Sequence, residues 1–323
     1  MEFALSEEQQ ELAGTVRSLL AKRADPAAVR AAMASETGYD EELWQLLCEQ
    51  IGAAALAVPE AYGGAGFSLL ESMVVLEEVG RSLAPSPLLA SVVTAEAVLA
   101  GGTDEAKRRV LPRIAAGEVA AFAVPGEPAL FADQAPVLVV AGDGLVLASA
   151  AGEWVPSMDQ TIRLGSVSYA AGEPIGDATA AAARAELVGA VGVAALSAGL
   201  AARALEMTVA YAKERVQFGR PIGSFQALKH RMADLLVLVE MSRSASLAAA
   251  YALSTGASNA EQLAHVAKSY CSDALTTIAA ETVQLHGGIA ITWEHDAQLV
   301  FKRAHALGQL FGTARAHRTL IEL

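Results

Sequence analysis

Cysteine is scarce: Cys48 and Cys271 are the only two in 323 residues. A disulfide framework is excluded, and a reducing compartment is expected. Aromatic residues make up only 5%, and positive charge is short, with 23 Lys and Arg against 36 Asp and Glu for a formal net charge of −13. So acidic a chain is not built for nucleic acid or an anionic lipid surface. The longest uncharged apolar run, residues 187–202, has 16 residues of Ala, Gly, Val, Leu and Ser. It falls short of the roughly 20 a membrane span needs, and its small residues suit a tightly packed soluble helix. Met1 is followed by Glu2 and a helix-start pattern rather than a basic and apolar signal sequence. No membrane, no nucleic acid and a cytoplasmic location are the expectations. Six scattered histidines show no zinc spacing. P-loop, G-x-S-x-G and strand–helix G-x-G-x-x-G patterns are also missing.

What is present is apolar bulk: 53% hydrophobic with mean hydropathy +0.36. That supports a large core and excludes disorder. The length predicts two or three domains. Residues 1–120 read as helical. Ser6 and Gln9 have capping-box spacing ahead of Leu12, Val16, Leu19 and Leu20. Asp40 opens a helix through Leu43, Trp44, Leu47 and Cys48. Val58-Pro59-Glu60-Ala61-Tyr62-Gly63-Gly64-Ala65-Gly66 is interhelical punctuation. A helix with Leu69, Leu70, Met73, Leu76 and Val79 ends by Pro85, and two more cover 87–99 and 103–115. Residues 121–178 predict a small β domain, with strands at 121–124, 137–141, 145–148 and 163–169. Residues 179–323 predict a C-terminal helical bundle. Its helices run from 179 to about 213, from about 224, from about 259 to Gly287-Gly288, and from about Trp293 to Leu310, with a short one to the end. In the second, Phe225, Leu228, Met232, Leu235, Val239, Ser242, Ser246, Ala249 and Leu253 step by three and four along one face. The fold class is thus mostly α with a small β domain.

Two segments could carry chemistry. Glu214-Arg215-Val216-Gln217-Phe218-Gly219-Arg220-Pro221-Ile222, followed by Phe225-Gln226, falls in the turn between two long helices. A guanidinium there can fork onto phosphate oxygens, and an adjacent ring can pack on a heterocycle. A plain interhelical turn with a solvated arginine fits the same residues. Val283-Gln284-Leu285-His286-Gly287-Gly288 lets backbone approach a ligand closely; a glycine helix stop fits it equally.

With these motifs in this order, the chain resembles the acyl-CoA dehydrogenase family over essentially its whole length. Phe3-x-Leu5-Ser6-x-Glu8-Gln9, Val58-Pro59-Glu60-x-Tyr62-Gly63-Gly64 and Glu77-Glu78-Val79-Gly80-Arg81 are similar to its N-terminal half. Tyr211-Ala-Lys-Glu-Arg215-x-Gln-Phe218-Gly219-Arg-Pro-Ile222 and Gln284-x-x-Gly287-Gly288 are similar to its most specific signatures. The resemblance implies an FAD enzyme, usually tetrameric, that removes two hydrogens across the α and β carbons of a CoA thioester. It also implies that Arg215, Gln217, Phe218, Phe225, Gln226, Gln284, Gly287 and Gly288 contact the adenine dinucleotide half of a neighbouring subunit's FAD. Electron-transfer flavoprotein is the implied electron acceptor.

The chain departs from the family in two places. The family's Thr-Glu-Pro-x-x-Gly-Ser-Asp loop is replaced by Val124-Pro125-Gly126-Glu127-Pro128, and the β domain is short for a flavin platform. Trp154 is read as domain packing. The catalytic Glu is missing from both family positions: Phe311 stands before Gly312 at one, and Gly189 occupies the other. Glu186, three residues upstream, is the nearest carboxylate, about 4.5 Å away along a helix axis. These departures resemble the short subunits of heterotetrameric (α2β2) acyl-CoA dehydrogenases of bacterial steroid and cholesterol degradation, in which only a longer paralogue carries the base. Trp293-Glu294-His295-Asp296 is compatible with that subgroup. The alternatives are a self-sufficient homo-oligomer using Glu186 or another base, and a purely structural paralogue without FAD contact.

Overall fold

In a computed structural model, residues 5–168 and 172–321 are described. Phe3 of the opening motif and Tyr169 of the last expected strand lie outside them.

Helix α1 (Glu7–Arg23) begins as its sequence predicts. Gln9 N donates to Ser6 Oγ at 3.3 Å, and Ser6 N to Gln9 Oε1 at 3.0 Å. Helix α2 (Pro26–Ala34) was not anticipated, although its signal is in the sequence: Asp25 accepts from Ala27 N and Ala28 N, and Pro26 takes the first helical position. Then come α3 (Glu41–Ile51), α4 (Leu69–Ser82), α5 (Leu88–Gly101) and α6 (Asp104–Ala115). Between α3 and α4 the Pro-Gly-rich segment forms a loop with one 3-10 turn, Glu60–Tyr62.

The strands are β1 (Ala120–Ala123), β2 (Pro128–Leu130), β3 (Val137–Ala141), β4 (Leu145–Ala148), β5 (Glu153–Val155), β6 (Leu164–Ser166) and β7 (Gly172–Gly176). They form two sheets, ordered β1-β3-β4-β7 and β2-β6-β5, with β1 and β3 parallel and the other pairs antiparallel. Strands β2, β5 and β7 escaped the sequence reading because two are only three residues long and the third carries two glycines and a proline. Trp154 is not domain packing. It lies on β5, whose one paired neighbour is β6; the residue is 57% exposed and has the Arg163 guanidinium over its ring at 5.2 Å.

The C-terminal elements are α7 (Ala178–Glu214), β8 (Val216–Gln217), β9 (Arg220–Pro221), α8 (Gln226–Thr255), α9 (Ala260–His286), α10 (Ala297–Gln309) and α11 (Ala314–Arg318). Helix α10 starts four residues later than expected. Residues Gly287–Ile291 form a 3-10 turn instead, and Trp293 stands before the helix, 66% exposed.

Helix α7 is the spine. Its small residues let neighbouring backbones close in: a Cβ on Gly199 would lie 1.8 Å from Glu77 O on α4, and one on Gly80 of α4 would lie 2.2 Å from Leu196 O. Helix α8 buries the expected stripe at Leu235, Val239, Ser242, Ser246, Ala249 and Leu253, and turns Leu236, Val237 and Met241 outward. Both α7 and α8 are long and apolar enough to cross a membrane by length and composition alone. The most apolar window of α7 is 83% buried inside the chain, that of α8 only 39%. Helix α7 is therefore a core helix, whereas α8 leaves much of its apolar surface uncovered among the described residues.

One buried ion pair ties α10 to the β strands. Arg303 donates from Nη2 to Thr161 O at 2.7 Å and from Nε to Asp159 Oδ2 at 3.4 Å, and both ionic side chains are almost fully buried. Asp159 Oδ1 accepts from Thr161 N at 2.9 Å. Arg303→Ala strands a buried carboxylate, and urea unfolding is expected to show a loss of about 3–5 kcal/mol. A loss below about 1 kcal/mol would mean that the pair does not hold these elements together.

Candidate active site

The first site sits where α7 ends. Arg215 closes the helix with its N–H on Tyr211 O at 2.9 Å, and its carbonyl accepts from Ile222 N at 2.8 Å. Gln217 then pairs with Arg220 across a two-residue turn. Both turn residues are left-handed, Phe218 at φ +52 and Gly219 at φ +77. A two-residue hairpin wants this geometry, but a phenylalanine rarely adopts it. The strained Phe218 is 93% exposed. Its ring meets Phe225 edge-on at 6.2 Å, and the Arg220 guanidinium covers Phe225 at 4.0 Å. The Gln217 amide donates to Val216 O at 2.8 Å. Gln226, exposed, opens α8. The Arg215 side chain has no ion pair or hydrogen bond among the described residues, and it is exposed.

The Gln284-x-x-Gly287-Gly288 segment comes to the same end of the bundle. Gln284 is exposed on the last turn of α9, and Gly287 follows at φ +66. A Cβ at Gly287 or Gly288 would meet nothing within 4 Å. An aromatic stack links the two motifs: the Tyr211 ring lies 4.5 Å from His286, which lies 4.7 Å from His295. His286 Nδ1 donates to Thr282 O at 2.7 Å, which leaves Nε2 as a bare acceptor, buried and without a partner. Burial pushes the His286 pKa below its ordinary value, in keeping with a neutral ring. An exposed guanidinium unpaired among the described residues, a displayed aromatic ring and an open Gly-Gly edge together fit an anionic, aromatic ligand such as a dinucleotide.

The second site is a cleft of about 1220 Å³ at the other end of α7. Residues Ala182, Ala185 and Glu186 of α7 line it, together with α5, the β strands and α10. Phe311 and Gly312 form part of its wall. Phe311 sits at φ +51, and its ring occupies the space a side chain at 189 would need: a Cβ on Gly189 would be 2.3 Å from the ring. The two positions where the base was sought are therefore in contact, and the ring that fills one blocks the other. Glu186 faces the cleft and is exposed. The one other carboxylate lining it among the described residues is Glu127, in the segment from Val124 to Pro128. No local signal marks Glu127 or His305 as lining this cleft.

Other reactive groups have structural partners. Glu78 pairs with Arg17 at 2.6 Å, Glu96 with Arg184 at 2.5 Å and Glu77 with Arg243 at 3.1 Å. Burial pushes the thiols of Cys48 and Cys271 up to about 12, so neither supplies a thiolate.

Comparison with known proteins gives a consistent assignment. Residues 6–118 match the family model described as acyl-CoA dehydrogenase, N-terminal domain, and residues 179–322 match acyl-CoA dehydrogenase, C-terminal domain. The chain is 45% identical to acyl-CoA dehydrogenase IpdE2 of Mycolicibacterium smegmatis, covering 98% of this chain and 99% of that protein. It is 47% identical to IpdE2 of Mycobacterium tuberculosis, over 96% of this chain and 94% of that one. Among solved structures, the ChsE4–ChsE5 complex of Mycobacterium tuberculosis superposes with a TM-score of 0.89 at 25% identity, covering 99% and 97% of the two chains. A variant of the Tcur3481–Tcur3483 steroid acyl-CoA dehydrogenase superposes with a TM-score of 0.87 at 30% identity, covering 98% and 96%. Its cleft between helices and a small β region, its displayed helix ends and these matches over nearly its whole length agree: the chain belongs to the acyl-CoA dehydrogenase family.

Proposed function

We propose that this chain is the short subunit of a heteromeric, FAD-dependent acyl-CoA dehydrogenase that acts on a CoA thioester of steroid origin. It contributes the trans half of its partner's FAD site, and the partner, a longer paralogue in an α2β2 assembly, carries the catalytic Glu. The observation that carries the reading is the length of α7. Glu186 and Arg215 are 29 residues apart on one continuous helix, about 43 Å along the axis. The cleft at one end and the displayed residues at the other cannot serve one active site within one chain, so Arg215, Phe218, Gly287 and Gly288 await a ligand seated in another. Exposed Leu236, Val237, Met241, Ile289, Ile291 and Trp293 supply apolar surface for that neighbour.

Bound FAD supplies the hydride acceptor for the β carbon. The roles of this chain's residues follow from their chemistry. Arg215 holds phosphate oxygens as a fork, Phe218 covers a ring face, and Gly287 and Gly288 let backbone come within reach of the pyrophosphate. Gln217, Phe225, Gln226 and Gln284 complete that edge. The α proton falls to the partner's carboxylate, because Phe311 and Gly189 exclude one from this chain's two family positions. Electron-transfer flavoprotein is the electron acceptor in this reading. The solved neighbours, the ChsE4–ChsE5 complex and the Tcur3481–Tcur3483 steroid acyl-CoA dehydrogenase, support both the pairing and the substrate class.

A self-sufficient enzyme using Glu186 is the one competing reading with an observation in its favour, since Glu186 does face the cleft. It is tested on the complex by Glu186→Gln. Turnover is expected to stay within about twofold of the parent; a fall of about 10²-fold or more with FAD retained would establish Glu186 as the base. Arg215→Ala is expected to weaken FAD retention by about 1.5–3 kcal/mol, read as flavin lost on dilution, with Arg215→Lys restoring part of it. Unchanged retention would remove Arg215 from the site. Co-expressed with its paralogue, the chain should give a yellow α2β2 complex with two FAD per four chains, by flavin absorbance against light-scattering mass. A stable yellow homotetramer of this chain alone would overturn the proposed division of labour.

A further inference from the structure

The turn that carries Phe311 is held by buried polar groups with no part in the proposed FAD contacts. Lys268 on α9 is fully buried, and its ammonium has no carboxylate partner among the described residues. Nζ donates to Ser272 Oγ at 3.1 Å and to the carbonyls of Leu307 and Gly308, in the last turn of α10, at 3.3 and 3.4 Å. Past the turn, Phe311 O lies 2.6 Å from His317 Nε2, and His317 Nδ1 lies 2.9 Å from His265 Nδ1. The left-handed Phe311 is pinned between these two anchors.

The proton positions follow from what each atom can do. A carbonyl only accepts, so His317 Nε2 carries a hydrogen. The two facing Nδ1 atoms then share one hydrogen between them. His265 Nε2 lies 3.8 Å from the Glu261 carboxylate. A first extra proton can settle there and leave every contact intact. A second has nowhere to go except the gap between the rings, where two N–H groups would face each other at 2.9 Å.

We propose that Lys268 and the His265–His317 pair are positioning residues that hold the Leu310–Phe311–Gly312 turn against the cleft with the Phe311 ring seated beside Gly189, and that the second proton taken up by the pair releases the turn. The seated ring sets the shape of the cleft wall; its release opens the space at Gly189. The charged groups around His317 are Lys268, His265 and Glu261 from α9 and Glu186 from α7, with Arg315 and Arg318 on its own helix, Arg318 being paired with Asp273. Burial first, then Lys268 and His265, push the His317 pKa below its ordinary 6.5, against a raising pull from the Phe311 carbonyl and Glu186. A histidine whose folded-state pKa is lowered contributes its stabilisation fully above 6.5 and loses it as pH falls through the folded value.

The proposal concerns this chain's own cleft wall and stands apart from the FAD reading. Its test places 4-fluorophenylalanine at position 311 of the full chain, in whatever assembly it purifies, and follows the fluorine resonance from pH 7.5 to 5.0. One seated resonance is expected at pH 7.5, with a displaced one gaining at least half the intensity below pH 6.5. His317→Gln keeps an N–H for the Phe311 carbonyl and cannot titrate; its resonance should stay seated throughout. His265→Gln can turn its amide oxygen toward an N–H, so it too should abolish the acid release. Lys268→Met should displace the ring already at pH 7.5. A flat wild-type titration, the same titration in His317→Gln, or a seated ring in Lys268→Met would overturn the proposal. If the glutamine variants do not fold, the wild-type titration decides alone.

Discussion

The structure depends on the packing that surrounds α7. A helix of 37 residues has no stiffness to spare unless its neighbours fix it along its length. The close approach at Gly80 and Gly199 brings the α4 backbone onto it, where even a methyl group would collide with a carbonyl. The long run of Ala, Gly and Val through its middle leaves room for α5, α8 and α9 on the remaining sides. Such a rod transmits no slack. Whatever seats a ligand at its N-terminal half fixes where Arg215 stands at its far end. Under the proposed function, this helix sets the distance between the cleft and the residues offered to the neighbouring subunit.

Legibility in the sequence followed the range of the interactions. Ser6 with Gln9, Asp40 and Thr103 are local signals, and each stands at the helix end where its chemistry puts it. The three-and-four stripe on α8 was legible for the same reason, because one helix face is a local property. The short strands were harder. Two three-residue strands in a sheet of three, β2 and β5, are defined by their neighbours rather than by their own residues. Trp154 was misread because a large aromatic side chain is usually buried, and nothing local says that its strand has just one partner.

At the candidate site, Arg215, Phe218 and the Gly-Gly pair could be singled out because glycine, arginine and exposed aromatics at helix ends have a limited set of uses. The sequence could not show that Tyr211 and His286 stack, which brings the two motifs to one end of the bundle. Nor could it show that Phe311 and Gly189 touch. These positions are 122 residues apart, and their complementarity is one of volume: a ring takes the space that glycine leaves. The buried Lys268, His265 and His317 carry no motif at all. Single polar residues on an apolar helix acquire meaning from what they face.

The distribution of backbone strain bears on the proposed division of labour. Three phenylalanines occupy left-handed backbone, Phe131 at φ +54, Phe218 at φ +52 and Phe311 at φ +51, where each costs on the order of 1–3 kcal/mol. The last two are strained for opposite reasons. Phe311 is turned inward, with two anchors on its flanks and a glycine opposite that receives the ring. Within the chain its strain is offset by packing. Phe218 is turned outward: the two-residue hairpin suits its backbone, but its ring is almost wholly in solvent with one edge contact to Phe225. Under the proposed function, the exposed ring packs on a ligand seated in a neighbouring subunit. A surface that covers it would be apolar and flat, and would lie beside an arginine whose side chain has no partner among the described residues. Those two demands fit the edge of a dinucleotide, in keeping with the proposal that the second half of this site comes from another polypeptide.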